Sequence, residues 1–290
     1  MHLTLDTTPD PAIRARLFAM LDAFNDAATG RPEPGQHLAI VLRDAAGDIE
    51  GGLIGISYYD WLFVDLLYLP PALRGHGMGM QLMRAAEAVA ARRDCRGVWL
   101  STYSFPARPF YARLGYQVFA TIDDFPPRHA YHWMGRTGLA MRPVPALEIH
   151  ETRHPEAEAV LGDALRLVND EAAGPSRERT GPAGDRAFVV LAHDDAGAPC
   201  GGLWAVTGRS WLYLDLFVLD AAARRAGLGS RILAMAEAEA RARGCVGVWL
   251  DTFSFQARPF YERHGYRVVG EMPDYPMPHR RYLLAKTLAG

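Results

Sequence analysis

Apolar residues recur along the first half of the chain in two rhythms, one fitting strands and the other fitting helices. Leu3–Leu5 reads as a short strand, and Pro11–Ala28 carries apolar residues at helical spacing. Apolar-rich runs at His37–Arg43 and Gly51–Ser57 predict two strands joined by the turn text Asp44-Ala45-Ala46-Gly47-Asp48. Trp61–Leu69 is a near-continuous apolar run broken by Asp65, which suits a strand covered on both faces. After Arg74–Gly79 comes a helix with Leu82, Met83, Ala86 and Ala90 on one side, and then a second buried strand at Gly97–Thr102. A strand, glycine turn, helix and strand in that order imply a right-handed parallel crossover. A short helix follows, with Pro109 in its first turn and Gly115 suited to the left-handed position after its end. Tyr116–Ala120 and His132–Arg136 read as closing strands. The expected class is α/β (α+β mixed sheet), each unit a twisted mixed sheet flanked by helices.

The same text then returns. Shifting the sequence by 150 aligns residues 51–120 with 201–270 without a gap, and 34 of those 70 positions are identical, too many for coincidence. Shared stretches include Trp61-Leu62 with Trp211-Leu212, and Ala107–Tyr111 with Ala257–Tyr261. Upstream, Asn25-Asp26 matches Asn169-Asp170 at a shift of 144, so the second copy carries six extra residues before its first hairpin, placed at Arg179–Gly184. Two copies of this length are domain-sized, which makes this a duplicated domain rather than a solenoid. The expected domains are 1–140 and 147–290, with a linker at about 141–146 inside Gly138–Ala146.

Composition narrows the setting. The 290 residues are 49% hydrophobic, and 31 basic side chains face 33 acidic ones. That balance gives no electrostatic reason to expect nucleic acid or an anionic membrane as partner. The start lacks a basic segment followed by an apolar core, and no apolar run approaches a membrane span. A cytoplasmic protein is the expectation. Cys95, Cys200 and Cys245 suggest neither a disulfide framework nor a metal site. The first and last hold equivalent repeat positions and read as small buried fillers.

Glycines between a strand and a helix let backbone N–H groups turn toward an anion at the positive end of the helix. The first copy has Arg74-Gly75-His76-Gly77-Met78-Gly79; the second has Arg224-Arg225-Ala226-Gly227-Leu228-Gly229-Ser230. Alone, such a loop also fits a plain tight turn. A Walker loop is excluded because neither copy has the lysine, and a dinucleotide fingerprint because Leu82 and Ile232 stand where a third glycine belongs. With Ala107…Tyr111…Gly115-Tyr116 and Ala257…Tyr261…Gly265-Tyr266 further on, each copy resembles the GNAT superfamily of acetyl-CoA-dependent N-acetyltransferases. The resemblance covers most of each copy, and both motifs occur twice at matching spacing.

It implies acetyl-CoA as cofactor, with Leu67-Tyr68-Leu69 and Phe217-Val218-Leu219 lying along it and both glycine loops on its pyrophosphate. Ser104 and Ser254 stand where the superfamily often has an asparagine that contacts the cofactor. It also makes Tyr111 and Tyr261 the candidate proton donors to the departing thiolate, although a tyrosine beside a phenylalanine on a short helix also reads as core. Asp65 and Asp215 are candidate bases or structural acceptors, since a carboxylate inside an apolar strand is costly unless paired or used. Asp251, where the first copy has Ser101, gives the second copy a spare carboxylate and favours it for catalysis. His129 and His279, in matching Asp-x-Pro-x-x-His loops, and Asn25 and Asn169 are candidate substrate contacts or loop-holding groups. No metal is expected.

The implied activity is acetyl transfer by direct attack of a primary amine on a small molecule. Alternatives are a protein or peptide amine as acceptor, or a non-catalytic acetyl-CoA sensor or scaffold. The latter would not need the tyrosines. The assembly expected is a monomer with pseudo-dimeric domains or a homodimer, with the Trp61 and Trp211 strands candidates for the interface between copies.

Overall fold

The computed structural model describes residues 1–32, 34–105, 107–141, 143, 146–173, 186–224 and 227–288. The six-residue insertion placed at 179–184, and Pro145 of the linker, lie outside the described residues. The elements follow the expected order. They begin with β1 (His2–Asp6), α1 (Pro11–Thr29), β2 (Gln36–Arg43), β3 (Ile49–Tyr58) and β4 (Trp61–Tyr68). Next come α2 (Met78–Arg92), β5 (Gly97–Tyr103), α3 (Arg108–Arg113), β6 (Gln117–Asp123) and β7 (Ala130–Thr137). The second copy repeats them as β8 (Glu148–His150), α4 (Pro155–Ala173), β9 (Ala187–His193), β10 (Pro199–Gly208) and β11 (Trp211–Leu219). It closes with α5 (Leu228–Ala242), β12 (Gly247–Phe253), α6 (Arg258–Arg263), β13 (Arg267–Pro273) and β14 (Arg280–Thr287).

Among the described residues, fourteen strands form one continuous sheet, in the order β1-β9-β10-β11-β12-β14-β13-β6-β7-β5-β4-β3-β2-β8. The pairs β4–β5 and β11–β12 are parallel, each bridged by a helix, α2 or α5, whose apolar side is buried. This is the crossover that the order of elements predicts.

The grouping of segments departs from the contiguous division at 1–140 and 147–290. Strand β1 pairs with β9 of the second copy, and β8 pairs with β2 of the first. The helices follow their strands. Leu17 of α1 packs with Val189, Trp204, Leu216 and Val218, while Ala157 and Leu161 of α4 pack with Ala39, Val41 and Ile54. Each half therefore consists of one copy's main sheet plus the leading strand and helix of the other copy.

Chain reach accounts for this exchange. Strand β8 sits five places from β7 in the sheet, about 24 Å at the usual strand spacing. The edge that β1 occupies lies eight places from β7, about 38 Å, which is at the limit of a fully extended connection from Thr137 to Glu148. The short linker thus delivers β8 and α4 to the near edge, and the chain's first segment fills the far one.

The halves meet where β13 faces β6, with Gly270 opposite Ala120. A Cβ on Gly270 would lie 2.2 Å from the Cβ of Ala120 and 2.6 Å from the Phe119 carbonyl oxygen, so only glycine lets the backbones approach this closely. Around that contact lies an aromatic core drawn from both halves, including Trp61, Trp99, Phe125, Trp133, Trp211, Phe253 and Tyr275. Trp61 Nε1 donates to the Asp274 carbonyl at 3.2 Å, and Trp211 Nε1 to the Asp124 carbonyl at 3.1 Å. Both tryptophan strands thus reach the interface between the copies.

Candidate functional site

The parallel pairing of β4 with β5 runs from Trp61 opposite Gly97 to Val64 opposite Leu100 and then stops. Beyond that point β4 keeps β3 on one side, with Leu66, Leu67 and Tyr68 paired to Ile54, Leu53 and Gly52. Its other edge opens into a cleft. The register against β3 jumps between Ile54 and Gly55, leaving Asp65 as the bulged residue without a partner. A bulge re-aims one side chain of an otherwise regular strand, which explains how a carboxylate sits inside this apolar run. Asp65 faces open space yet is flanked by protein. Burial, with Glu158 of α4 adding like charge, raises its pKa above the ordinary carboxylate value.

The loop after β4 ends at the first turn of α2. Gly75 and Gly77 take left-handed φ values of 81° and 83°, and Gly77 caps α2 with no side-chain hydrogen bond to the helix amides. Arg74 Nε donates to the Leu69 carbonyl at 2.8 Å, fixing the loop to the strand end. Tyr111, on α3, is buried, and that burial raises the pKa of its hydroxyl, keeping it protonated.

These groups share one cavity of about 880 Å³, walled by Asp65, Leu67, Tyr68, Leu69, Arg74, Gly75, Gly77, Gly79 and Tyr111. The exchanged helix α4 supplies Gly162, Leu165, Arg166 and Asn169 to the same cavity. The second half contributes Thr207, Arg209, Trp211, Tyr213 and Trp249. Sequence reading missed these contributions from α4 and the second half, apart from Asn169. Nothing in a repeat pattern says which copy a flanking helix will cover.

The comparisons with known proteins match each copy of the sequence separately. A family model described as the Acetyltransferase (GNAT) family matches residues 3–116, and one described as an Acetyltransferase (GNAT) domain matches residues 184–268. The chain belongs to the GNAT acetyltransferase family. It is an acetyl-transferring acyltransferase with two GNAT domains. A blasticidin-S acetyltransferase of Streptomyces morookaense is 42% identical over 130 residues, 43% of this chain and 96% of the relative. An acetyltransferase of Agrobacterium fabrum is 34% identical over 110 residues, 38% of this chain and 80% of the relative. A crystal structure of an acetyltransferase from Bacillus cereus is 26% identical, with a TM-score of 0.43, and is matched over 97% of its length by 49% of this chain.

GNAT acetyltransferases use acetyl-CoA, and the first loop fits that group. A Cβ added at Gly75 would meet nothing within 4 Å, and the uncapped amides of α2 open toward the same cleft. His76 and Met78 of the loop are not on the cavity wall. In the second GNAT domain, Gly227 caps α5 with φ 72°, and Arg224 Nε holds the Leu219 carbonyl at 2.9 Å. Phe217 and Val218 pair with β10 as Leu67 and Tyr68 do with β3, the pairing running on to Leu219. Arg225 and Ala226 lie outside the described residues. Leu228 is buried in the core, Gly229 packs near Phe260, and Ser230 Oγ is 2.9 Å from His264 Nε2. Tyr261 is as buried as Tyr111, and its hydroxyl pKa is likewise raised by burial.

Several expected contacts resolve differently. Asp251 is not a spare carboxylate: it receives Arg281 Nε at 2.9 Å and the Tyr213 hydroxyl at 3.1 Å. Asp215 is bulged like Asp65 but accepts from Arg14 Nε of α1 at 2.8 Å. Asn25 is buried, and its side-chain oxygen accepts from Gln256 Nε2 at 2.7 Å, so it ties α1 to the second half; Asn169 alone of the pair lines the first cavity. His129 and His279 pack edge-on against Phe105 and Phe255, and His129 is not on the cavity wall. The hydroxyls of Ser104 and Ser254 accept from the backbone N–H groups of Ala130 and Arg280, closing strand pairs.

Away from the cavity, ligand atoms of Glu148, His150 and His154 lie within 4.8 Å of one another, with Arg43 already bonded to Glu148. Among the described residues no helix is long and apolar enough to cross a membrane.

Proposed function

We propose that this chain transfers the acetyl group of acetyl-CoA to a primary amine of a small cationic molecule, with an amine-bearing antibiotic as the favoured class. The carrying observation is that the glycine loop, Asp65 and Tyr111 line one cavity. The loop and the free edge of β4 bind and orient the cofactor, which when bound supplies the activated acyl carbon. Asp65 takes a proton from the incoming ammonium, directly or through water, and a raised pKa suits a base that must accept one near neutrality. The amine nitrogen then bonds to the acyl carbon, and the carbon–sulfur bond breaks. The Tyr111 hydroxyl donates its proton to the departing sulfur, and the surplus proton on the newly bonded nitrogen passes back to Tyr111, so that a neutral amide and a free thiol result. A backbone N–H on the open edge of β4 would serve as a single-donor oxyanion site when the cofactor is bound.

Two features support a small acceptor. Trp211, Tyr213 and Trp249 line the cavity, giving it aromatic faces suited to a compact cationic amine. The relative acting on blasticidin S is matched along 96% of its length. Soluble and acting without a nucleic-acid or membrane partner, the protein fits a cytoplasmic setting.

The test is a panel of blasticidin S, an aminoglycoside, spermidine, glucosamine and a peptide with a free N-terminus. Each is incubated with acetyl-CoA, with thiol release followed and product mass measured. The proposal predicts acetylation of a small amine but not of the peptide. Thiol release with the peptide alone, or with no amine at all, overturns it.

A further inference from the structure

The two acceptor sites are built from homologous parts but carry opposite charge at one position. Helices α1 and α4 are aligned by their first residues, Pro11 and Pro155, and by their buried anchors, Leu17 and Leu161. In that register Arg14 corresponds to Glu158. The exchange puts Glu158 on the helix that packs on β4, where its charge acts on Asp65, and puts Arg14 against Asp215 at 2.8 Å in the second half. We propose that Arg14 closes the second acceptor site by occupying Asp215, so that amine acetylation by this chain is confined to the first half. This rests on the acetyltransfer reading given above.

The consequence for a cationic substrate is direct. In the first half an ammonium meets Asp65 on the cavity wall, and Glu158, whose charge acts on Asp65, is itself paired with Arg153 at 2.9 Å. In the second, the oxygen that would accept the ammonium proton already accepts from a guanidinium. A positive charge also stands where the ammonium has to come. Arg14 is anchored from the same helix, since Arg16 Nη2 donates to the Pro199 carbonyl at 3.0 Å, and Leu17 lies buried one turn on.

A second difference has the same sense. The ends of β5 and β7 in the first half meet through a neutral bond from the Tyr131 hydroxyl to Ser101 Oγ at 2.6 Å. Their counterparts in the second half are the ion pair of Arg281 and Asp251, with the guanidinium over Trp99, Phe253 and Tyr275. At these two positions the second half carries arginines where the first carries a glutamate and a phenol. Arg166 and Arg209, elsewhere on the first cavity's wall, are each paired with an aspartate. The second half's glycine-capped α5 is retained, so cofactor binding is expected in both halves while acceptor chemistry is not.

Arg14 acts through Asp215 and is a positioning residue, so the test must show a gain that loss of structure does not give. Acetylation of blasticidin S is measured for the full-length chain and for D65N, R14A, D65N/R14A and D65N/R14A/D215N, with acetyl-CoA binding to each followed by calorimetry. D65N is expected to lose at least a hundredfold in kcat with cofactor affinity unchanged. Adding R14A restores at least tenfold over D65N, and adding D215N removes that gain, while the KM for acetyl-CoA stays constant throughout. If D65N keeps half or more of the activity, or if D65N/R14A stays at the level of D65N, the second site is not closed by Arg14 and the inference fails alone. If the unaltered chain acetylates no amine of the panel while binding acetyl-CoA, the acetyltransfer reading fails and takes the inference with it.

Discussion

Asp65 and Tyr111 show how environment, more than residue type, assigns roles in this protein. Both copies carry the aspartate and the tyrosine in register, and the sequence made all four candidates. What separates the two aspartates is a neighbour from a helix whose destination the sequence does not reveal: Glu158 in one case and Arg14 in the other. Asp251 taught the same lesson in reverse, since a carboxylate read as spare is held by Arg281 and Tyr213. Replacing Tyr111 by Phe removes the proton donor and little else. It is expected to lower kcat by roughly 10²–10⁴-fold with acetyl-CoA affinity unchanged, as read by steady-state kinetics beside calorimetry. The pH profile carries a second expectation. Asp65 must be ionised to accept a proton, and burial together with Glu158 raises its pKa, so the acid limb of kcat/KM should lie above the ordinary carboxylate range. The rate falls as pH drops through that raised value. Replacing Glu158 by Gln removes the smaller of the two causes and should shift the limb slightly to lower pH, whereas an acid limb that survives in D65N would show that Asp65 is not the titrating base.

At the level of strands and helices, the pattern of apolar residues was a reliable guide because each element here satisfies a local rule. Strand β4 is apolar because it is covered on both faces, and α2 begins where Gly77 allows a left-handed turn. The bulge was not readable, because a single polar residue in an apolar run signals either a buried partner or a register shift, and only the pairing with β3 distinguishes them. The loop glycines were readable in their spacing, though not in which of their neighbours face the cleft. Gly77→Val tests that element. A β-branched residue at φ 83° is strained by roughly 1–2 kcal/mol. It also puts atoms into the cradle above the α2 amides. Acetyl-CoA affinity at the first half should fall sharply while the aromatic interface stays folded. Calorimetry that still counts full-strength binding at both halves would contradict the assignment of this loop.

The assembled chain differs most from what its sequence suggests. A repeat with a short linker reads naturally as two beads, and the count of domains was right, but the strands were regrouped by reach: five strand places are spanned where eight are not. No residue motif encodes that choice; it follows from linker length and from where β7 ends. It makes a plain prediction. Cutting the chain between residues 140 and 147 separates each sheet from its own edge strand and covering helix, exposing Val189 and Trp204 on one piece and Ala39 and Val41 on the other. Each fragment alone should be insoluble or lack cooperative unfolding by circular dichroism, and co-expression should recover a paired, cofactor-binding complex. A fragment 1–140 that folds and binds acetyl-CoA by itself would show that the crossed packing is dispensable.

The crossed segments also bear on how such a gene can be recombined. A crossover that imported a new 3′ half would bring a new second sheet, but with it the helix that walls the first cavity. The acceptor preference of the inherited half would then change although none of its own codons had. Tuning one site in this protein therefore means editing the stretch of gene that precedes the other.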